Sequence, residues 1–188
     1  HGAGRLQVTG GADPGNVAQG TFRGGLDYDA QQAGDQLTVK MRLSDMRFWP
    51  SPWMWGPHST LDWTVNLTDQ VPLDLRLETG ASEARIDLSG LQVRSLFVQT
   101  GASSTNVVLP ARAGHTQAKI GAGAASVKVV IPEGVAARIQ VQSGMASVVI
   151  DRNRFPQAGA VYESPDYGSA ENRVDLTIEA GVGSVSVR

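Results

Sequence analysis

A glycine between small neighbours recurs through the second half of the chain: TGAS at 79–82, TGAS at 100–103, AGAA at 122–125, SGMA at 143–146 and AGVG at 180–183. The central residues are Gly80, Gly101, Gly123, Gly144 and Gly181, so the intervals are 21, 22, 21 and 37. A period kept over four consecutive copies and broken once marks a repeat architecture, in which each unit buries its apolar face against the next.

The flanks fix what each unit is. Five and three residues before each glycine stand Leu75/Leu77, Leu96/Val98, Ala118/Ile120, Ile139/Val141 and Leu176/Ile178. Four and six residues after come Ala84/Ile86, Thr105/Val107, Val127/Val129, Val148/Ile150 and Val185/Val187, and the interleaved positions are mostly polar. Alternation on both sides of a corner predicts two short strands per repeat, each with one buried and one solvated face. Strand pairs that recur in phase are best built as a coil, each repeat about 4.8 Å above the last. The expected fold is all-β: a β-solenoid, a right-handed β-helix-like stack of 21–22-residue repeats. Glycine suits the corners because positive φ is required there or because no room is left for a Cβ. The links SGLQVRS (89–95), PARAGHT (110–116) and PEGVA (132–136) supply a third side.

We read the chain as one all-β domain, 1–188, with a divergent part over 1–70 and regular repeats over 71–188 that are interrupted by an insertion at 151–173. Residues 4–18 look like a degenerate repeat around Gly11, with Leu6, Val8 and Val17 inward and Gly15 in an inward slot. LTVKMRL (37–43) and LDWTVNL (61–67) alternate as strands, with Trp63 on the core side. The insertion holds Phe155, Tyr162 and Tyr167 among turn formers and suits a flap over the coil. Stacked in sequence order, the repeats leave the rung of Val185 and Val187 without a cap of its own, and a bare rung invites end-to-end or edge-to-edge assembly.

Between the two N-terminal strands lies FWPSPWMWGPHS (48–59), with three of the four tryptophans and one of the four phenylalanines. Its prolines forbid a helix or a central strand. Phe48, Trp49, Trp53 and Trp55 on this loop, 48–57, are the candidate contact with a partner or a membrane; packing over an open end of the stack is the competing use.

Catalysis finds no team. Glycosidase or cation chemistry on a coil needs acids stacked in one outward column of adjacent repeats. In sequence order Glu78 and Glu179 share a column but are separated by Gln99, Gly121 and Gln142. His1, His58 and His115 are isolated histidines, GAGAAS (121–126) lacks the Lys-Ser/Thr ending of a phosphate loop, and no G-x-S-x-G elbow occurs. NLT at 66–68 fits a glycosylation pattern at a strand end. We expect no enzyme, no cofactor and no metal. A net charge of −2 and a pI near 5.9 give no footprint for nucleic acid. Zero cysteines leave the redox compartment open.

The series WTVNL, VPLDLRLETGASEARIDLSGLQVRSLFVQTGASSTNVVLP and YESPDYGSAENRVDLTIEAGVGSVSVR resembles the toastrack-type domain at the C-terminal end of LiaF-like bacterial membrane proteins, over about Leu61 to Arg188. The most specific pieces are IDLSGL (86–91), the TGAS corners, YGSAENRVDL (167–176) and the closing GVGSVSV (181–187). The resemblance implies a stacked β fold, no catalytic residues, and a role in sensing or signalling envelope stress. It also implies attachment to the cell membrane through N-terminal segments, which fits a chain that starts at His1. The expected partners are a protein, in particular a membrane signalling component, and a second copy of the chain in a homo-oligomer. The alternative function is a structural or adhesive β-solenoid that assembles through its ends or edges.

Overall fold

The computed structural model describes residues 3–44 and 61–188, and among them it contains strands and no helix. The repeats form as the alternation requires. β6 (Leu73–Thr79) and β7 (Ala81–Asp87) flank Gly80, and β8 (Val93–Thr100) and β9 (Ser104–Val108) flank Gly101. β10 (His115–Val130), β11 (Ala136–Ile150) and β14 (Arg173–Val187) run through their corners unbroken. All pairings among these seven strands are parallel and keep the glycines in phase, as in Leu75↔Leu96, Leu96↔Ala118, Ala118↔Leu176 and Leu176↔Ile139.

The stacking order departs from the order of the sequence. β14 pairs with β10 on one side and β11 on the other. The corners therefore stack Gly80, Gly101, Gly123, Gly181, Gly144, and the last strand of the chain is an interior rung. The 21-residue step from Gly123 to Gly144 climbs two rungs, and the 37-residue step returns the chain to fill the gap. The expectation that the rung of Val185 and Val187 lies bare at the end is thus corrected.

Burial follows the spatial order. Leu176, Ile178, Val185 and Val187 are buried, as are the matching residues of β8, β9 and β10. The inward residues that stay partly exposed are Leu75, Leu77, Val141 and Val148, all on the outermost rungs β6 and β11. An end rung has apolar neighbours on one side only, so its ladder cannot close. Thr105, the one polar residue in the inward columns, shares a hydrogen bond with the Ser103 hydroxyl at 3.1 Å.

Of the two reasons offered for the corner glycines, the lack of room is the operative one. None of the five has positive φ. A Cβ on Gly101, Gly123, Gly181 or Gly144 would lie 3.0, 3.3, 2.7 or 3.0 Å from the carbonyl oxygen of the glycine on the preceding rung.

The links do form a third side. Leu88, Leu91, Leu109, Ile131 and Val135 are buried there, and backbone bonds such as Leu88 N to Val108 O and Leu109 N to Val130 O continue the stack. The insertion caps the β11 end. Phe155 is wholly buried, and β12 (Gln157–Ala158) with β13 (Val161–Glu163) forms a small hairpin whose second strand runs antiparallel to residues 138–140 of β11. Arg154 ties the flap down by donating to Ile131 O at 2.7 Å and Pro132 O at 3.0 Å.

At the opposite end, β1 (Ala3–Gly10) pairs in parallel with β7 and with β5 (Trp63–Leu67), and β2 (Ala18–Phe22) closes antiparallel on β5. The degenerate repeat therefore has a different phase from the one expected. Leu6 and Val8 lie against Ala84 and Ile86, the columns after a corner, so Gly11 is not the corner of this copy. Trp63 is buried as expected, with an edge-to-face contact to Phe22 at 5.1 Å and its indole N–H donating to Arg23 O. β3 (Leu26–Ala33) and β4 (Gln36–Leu43) pair with each other in a separate hairpin, so the strand predicted at 37–43 does not join the stack.

Candidate functional site

Three surface features arise where the coil turns or ends. The first is a groove of about 460 Å³ across the corners of the upper rungs, lined by Gln99, Gly121, Gln142, Ser143 and Glu179 beside the glycines. It follows from the absent Cβ atoms and from the register, which sets Gln99, Gly121, Glu179 and Gln142 side by side. The column that lines this groove carries two acids, Glu78 and Glu179. The spatial order still keeps them apart, with Gln99 and Gly121 on the rungs between. The Glu179 carboxylate is instead engaged by Lys119 at 2.7 Å.

The second feature is a polar cluster that fastens the flap to the stack. The Tyr167 hydroxyl donates to Asp175 Oδ1 at 2.6 Å, and His115 Nε2 meets Asp175 Oδ2 at 2.7 Å. Arg138 lies 4.3 Å over the Tyr167 ring and donates to Glu163 at 2.6 Å. Burial works to raise the Asp175 carboxyl, but the hydrogen bonds from Tyr167 and His115 hold it below its ordinary value. Burial, and then the bond to Asp175, push the Tyr167 phenol up to about 12. The bond to Glu163 raises Arg138. Each charge in the cluster meets a partner, which is the arrangement of a clasp.

The third feature is the second half of β11. Residues 145–150 pair with β14 on one side, and among the described residues no strand pairs with the other edge. Met145 and Val149 are 81% and 63% exposed, and Val182, which pairs with Met145, is 48% exposed. The signal in the sequence is the run of uncharged residues from Ile139 to Ile150, which the repeat columns alone did not single out.

Phe48, Trp49, Trp53 and Trp55 lie outside the described residues, as do His1 and His58. His115 opens β10 and belongs to the clasp. GAGAAS lies within β10 and makes a corner. Asn66 of the NLT pattern lies in β5 and accepts the Thr9 hydroxyl at 3.0 Å.

Residues 1–130 match the family model described as the N-terminal domain of toast_rack, DUF2154. The match takes in the first sixty residues, which the resemblance drawn from the repeats had left out. A crystal structure of a proposed cell adhesion protein from Clostridium sporogenes superposes with a TM-score of 0.85 at 20% identity, covering 99% of this chain and 88% of that one. At that identity the likeness is one of fold. No curated protein matches the sequence.

Proposed function

Because the chain belongs to the toast-rack family, we propose that it is a non-catalytic interaction domain of a membrane-anchored bacterial protein that takes part in sensing envelope stress. Family membership carries the proposal, and the surface is in keeping with it. The acids of the corner column are separated, and Glu179 is paired with a cation, whereas Met145 and Val182 lie exposed beside the corner groove. Such a surface suits recognition of a protein. The aromatic segment with Phe48, Trp49, Trp53 and Trp55 is proposed as a second contact, with a protein or the membrane interface.

The test is genetic. A strain in which this domain is deleted from its parent protein should lose or derepress the induction of an envelope-stress reporter by a membrane-active antibiotic. An unchanged reporter response argues against signalling. An adhesive or structural role is the second reading, favoured by the shared fold with the proposed adhesion protein. It predicts altered cell aggregation in the same strain with a normal reporter.

A further inference from the structure

We propose that two copies of this chain pair through residues 145–149 of β11, antiparallel and about a two-fold axis at Ser147. The pairing goes beyond the signalling role and requires none of it.

Among the described residues the edge is open, and it is equipped to pair. Asp151 N donates to Val187 O. Alternation along the strand then directs the backbone groups of Met145, Ser147 and Val149 toward β14, and those of Ala146 and Val148 toward the free edge. Edges are normally guarded by charge, proline or cover. β6, the outermost strand at the other end of the same stack, carries Asp74, Arg76 and Glu78. The first half of β11 is covered by β13. Residues 139–150 have neither charge nor proline.

The core behind this edge is also unfinished. Val141, Ala146 and Val148 remain partly exposed, although the residues matching Val141 and Val148 in β14 and β10 are buried. Another strand laid on the edge would complete the ladder.

A second copy fits because the segment is complementary to itself. With the axis at Ser147, Ala146 faces Val148 of the other copy, and both have their backbone groups at the edge, as a hydrogen-bonded antiparallel pair requires. Their side chains lie on the core side, a small one opposite a larger one. Met145 faces Val149 on the outer face, so the two most exposed apolar residues of the edge cover each other. With no charge on either strand, the approach of like to like carries no repulsion. A contact of this kind is isologous and closes after two copies.

Sedimentation and light scattering of the full chain over a wide concentration range test it. We expect a monomer of 19.8 kDa in equilibrium with a species of twice that mass. Val149→Lys, at an exposed position, should weaken the dimer at least tenfold while leaving the circular dichroism spectrum unchanged. Ser147→Cys places two thiols on the axis of a non-hydrogen-bonded pair, with Cα atoms about 4.5 Å apart and within disulfide reach. The chain has no other cysteine, so diamide should link it rapidly, whereas exposed Lys128→Cys should link slowly. A monomer at every concentration, open-ended growth, a dimer indifferent to Val149→Lys, or equal linking of the two cysteine variants overturns the proposal.

Discussion

Gly181 lies against Gly123, so that a Cβ built on Gly181 would approach the Gly123 carbonyl oxygen to 2.7 Å. The neighbour is backbone inside a continuous parallel ladder and cannot rotate away. Gly181→Ala should therefore cost about 1–3 kcal/mol, the range for overpacking. Gly90→Ala, with open space around the added methyl and no positive φ, should change stability by less than about 0.5 kcal/mol. Urea melts of the two variants provide the comparison, and equal losses would contradict the crowded-corner account.

The inward and outward columns make a second comparison. Val129 is fully buried and the adjacent Lys128 is exposed. Val129→Asp should abolish soluble folding, since an unpaired buried carboxylate costs several kcal/mol. Lys128→Asp should melt within a few degrees of the parent. Similar behaviour of both would overturn the assignment of faces.

Phe155 is the buried anchor of the flap. Phe155→Ala should destabilise the chain by about 3–5 kcal/mol, and limited proteolysis should cut first within 151–173. A variant that melts normally and resists the protease would show that the flap is not held by this ring.

The clasp predicts stability that falls at both extremes of pH. Asp175 has a lowered native value, so its contribution is present above the unfolded carboxylate value near 4 and is lost as pH falls through the native one. Tyr167 is raised from 10.0 to about 12, so the native state holds its proton longer and stability declines as pH rises across that interval. Tyr167→Phe should flatten the alkaline decline, and Asp175→Asn the acid one. Urea midpoints measured across the pH range would reveal unchanged limbs if the clasp played no part.

The aromatic segment is accessible to fluorescence. Trp63 is buried against Phe22 and should emit blue-shifted, quencher-resistant light. In a Trp63→Phe background, the emission reports Trp49, Trp53 and Trp55 alone. Rings used for contact should be quenched by iodide and protected when the proper partner or lipid vesicles are added. Emission already shielded in the free chain, with a large stability loss on Trp53→Ala, would assign these rings to packing.

Local patterning was sufficient for much of the fold. The alternation about Gly80, Gly101, Gly123, Gly144 and Gly181 identified two strands per repeat, and its inward positions are buried except at Leu75, Leu77, Val141 and Val148 on the end rungs. The insertion announced a flap through Phe155, Tyr162 and Tyr167. The clasp was not legible, because His115 and Asp175 are 60 positions apart and only the placement of β14 beside β10 brings them together. The phase of the N-terminal copy was ambiguous for a related reason: Leu6 and Val8 fit the spacing before a corner as well as the spacing after one, and pairing with β7 decides between them.

The rung is written in the local pattern, which says which residues face inward and where the chain turns; why the turn needs glycine was settled by the neighbouring rung, whose carbonyl oxygen leaves no room for a Cβ. The order of the rungs is not in the local pattern. Every rung offers the same aliphatic columns and the same backbone ladder, so Val127, Val185 and Val148 are interchangeable as neighbours as far as that pattern is concerned. The choice falls to connectivity and to the closure of the ends. The long return through 151–173 lets β14 enter the gap between β10 and β11, and the same segment then covers part of the rung it has left at the edge.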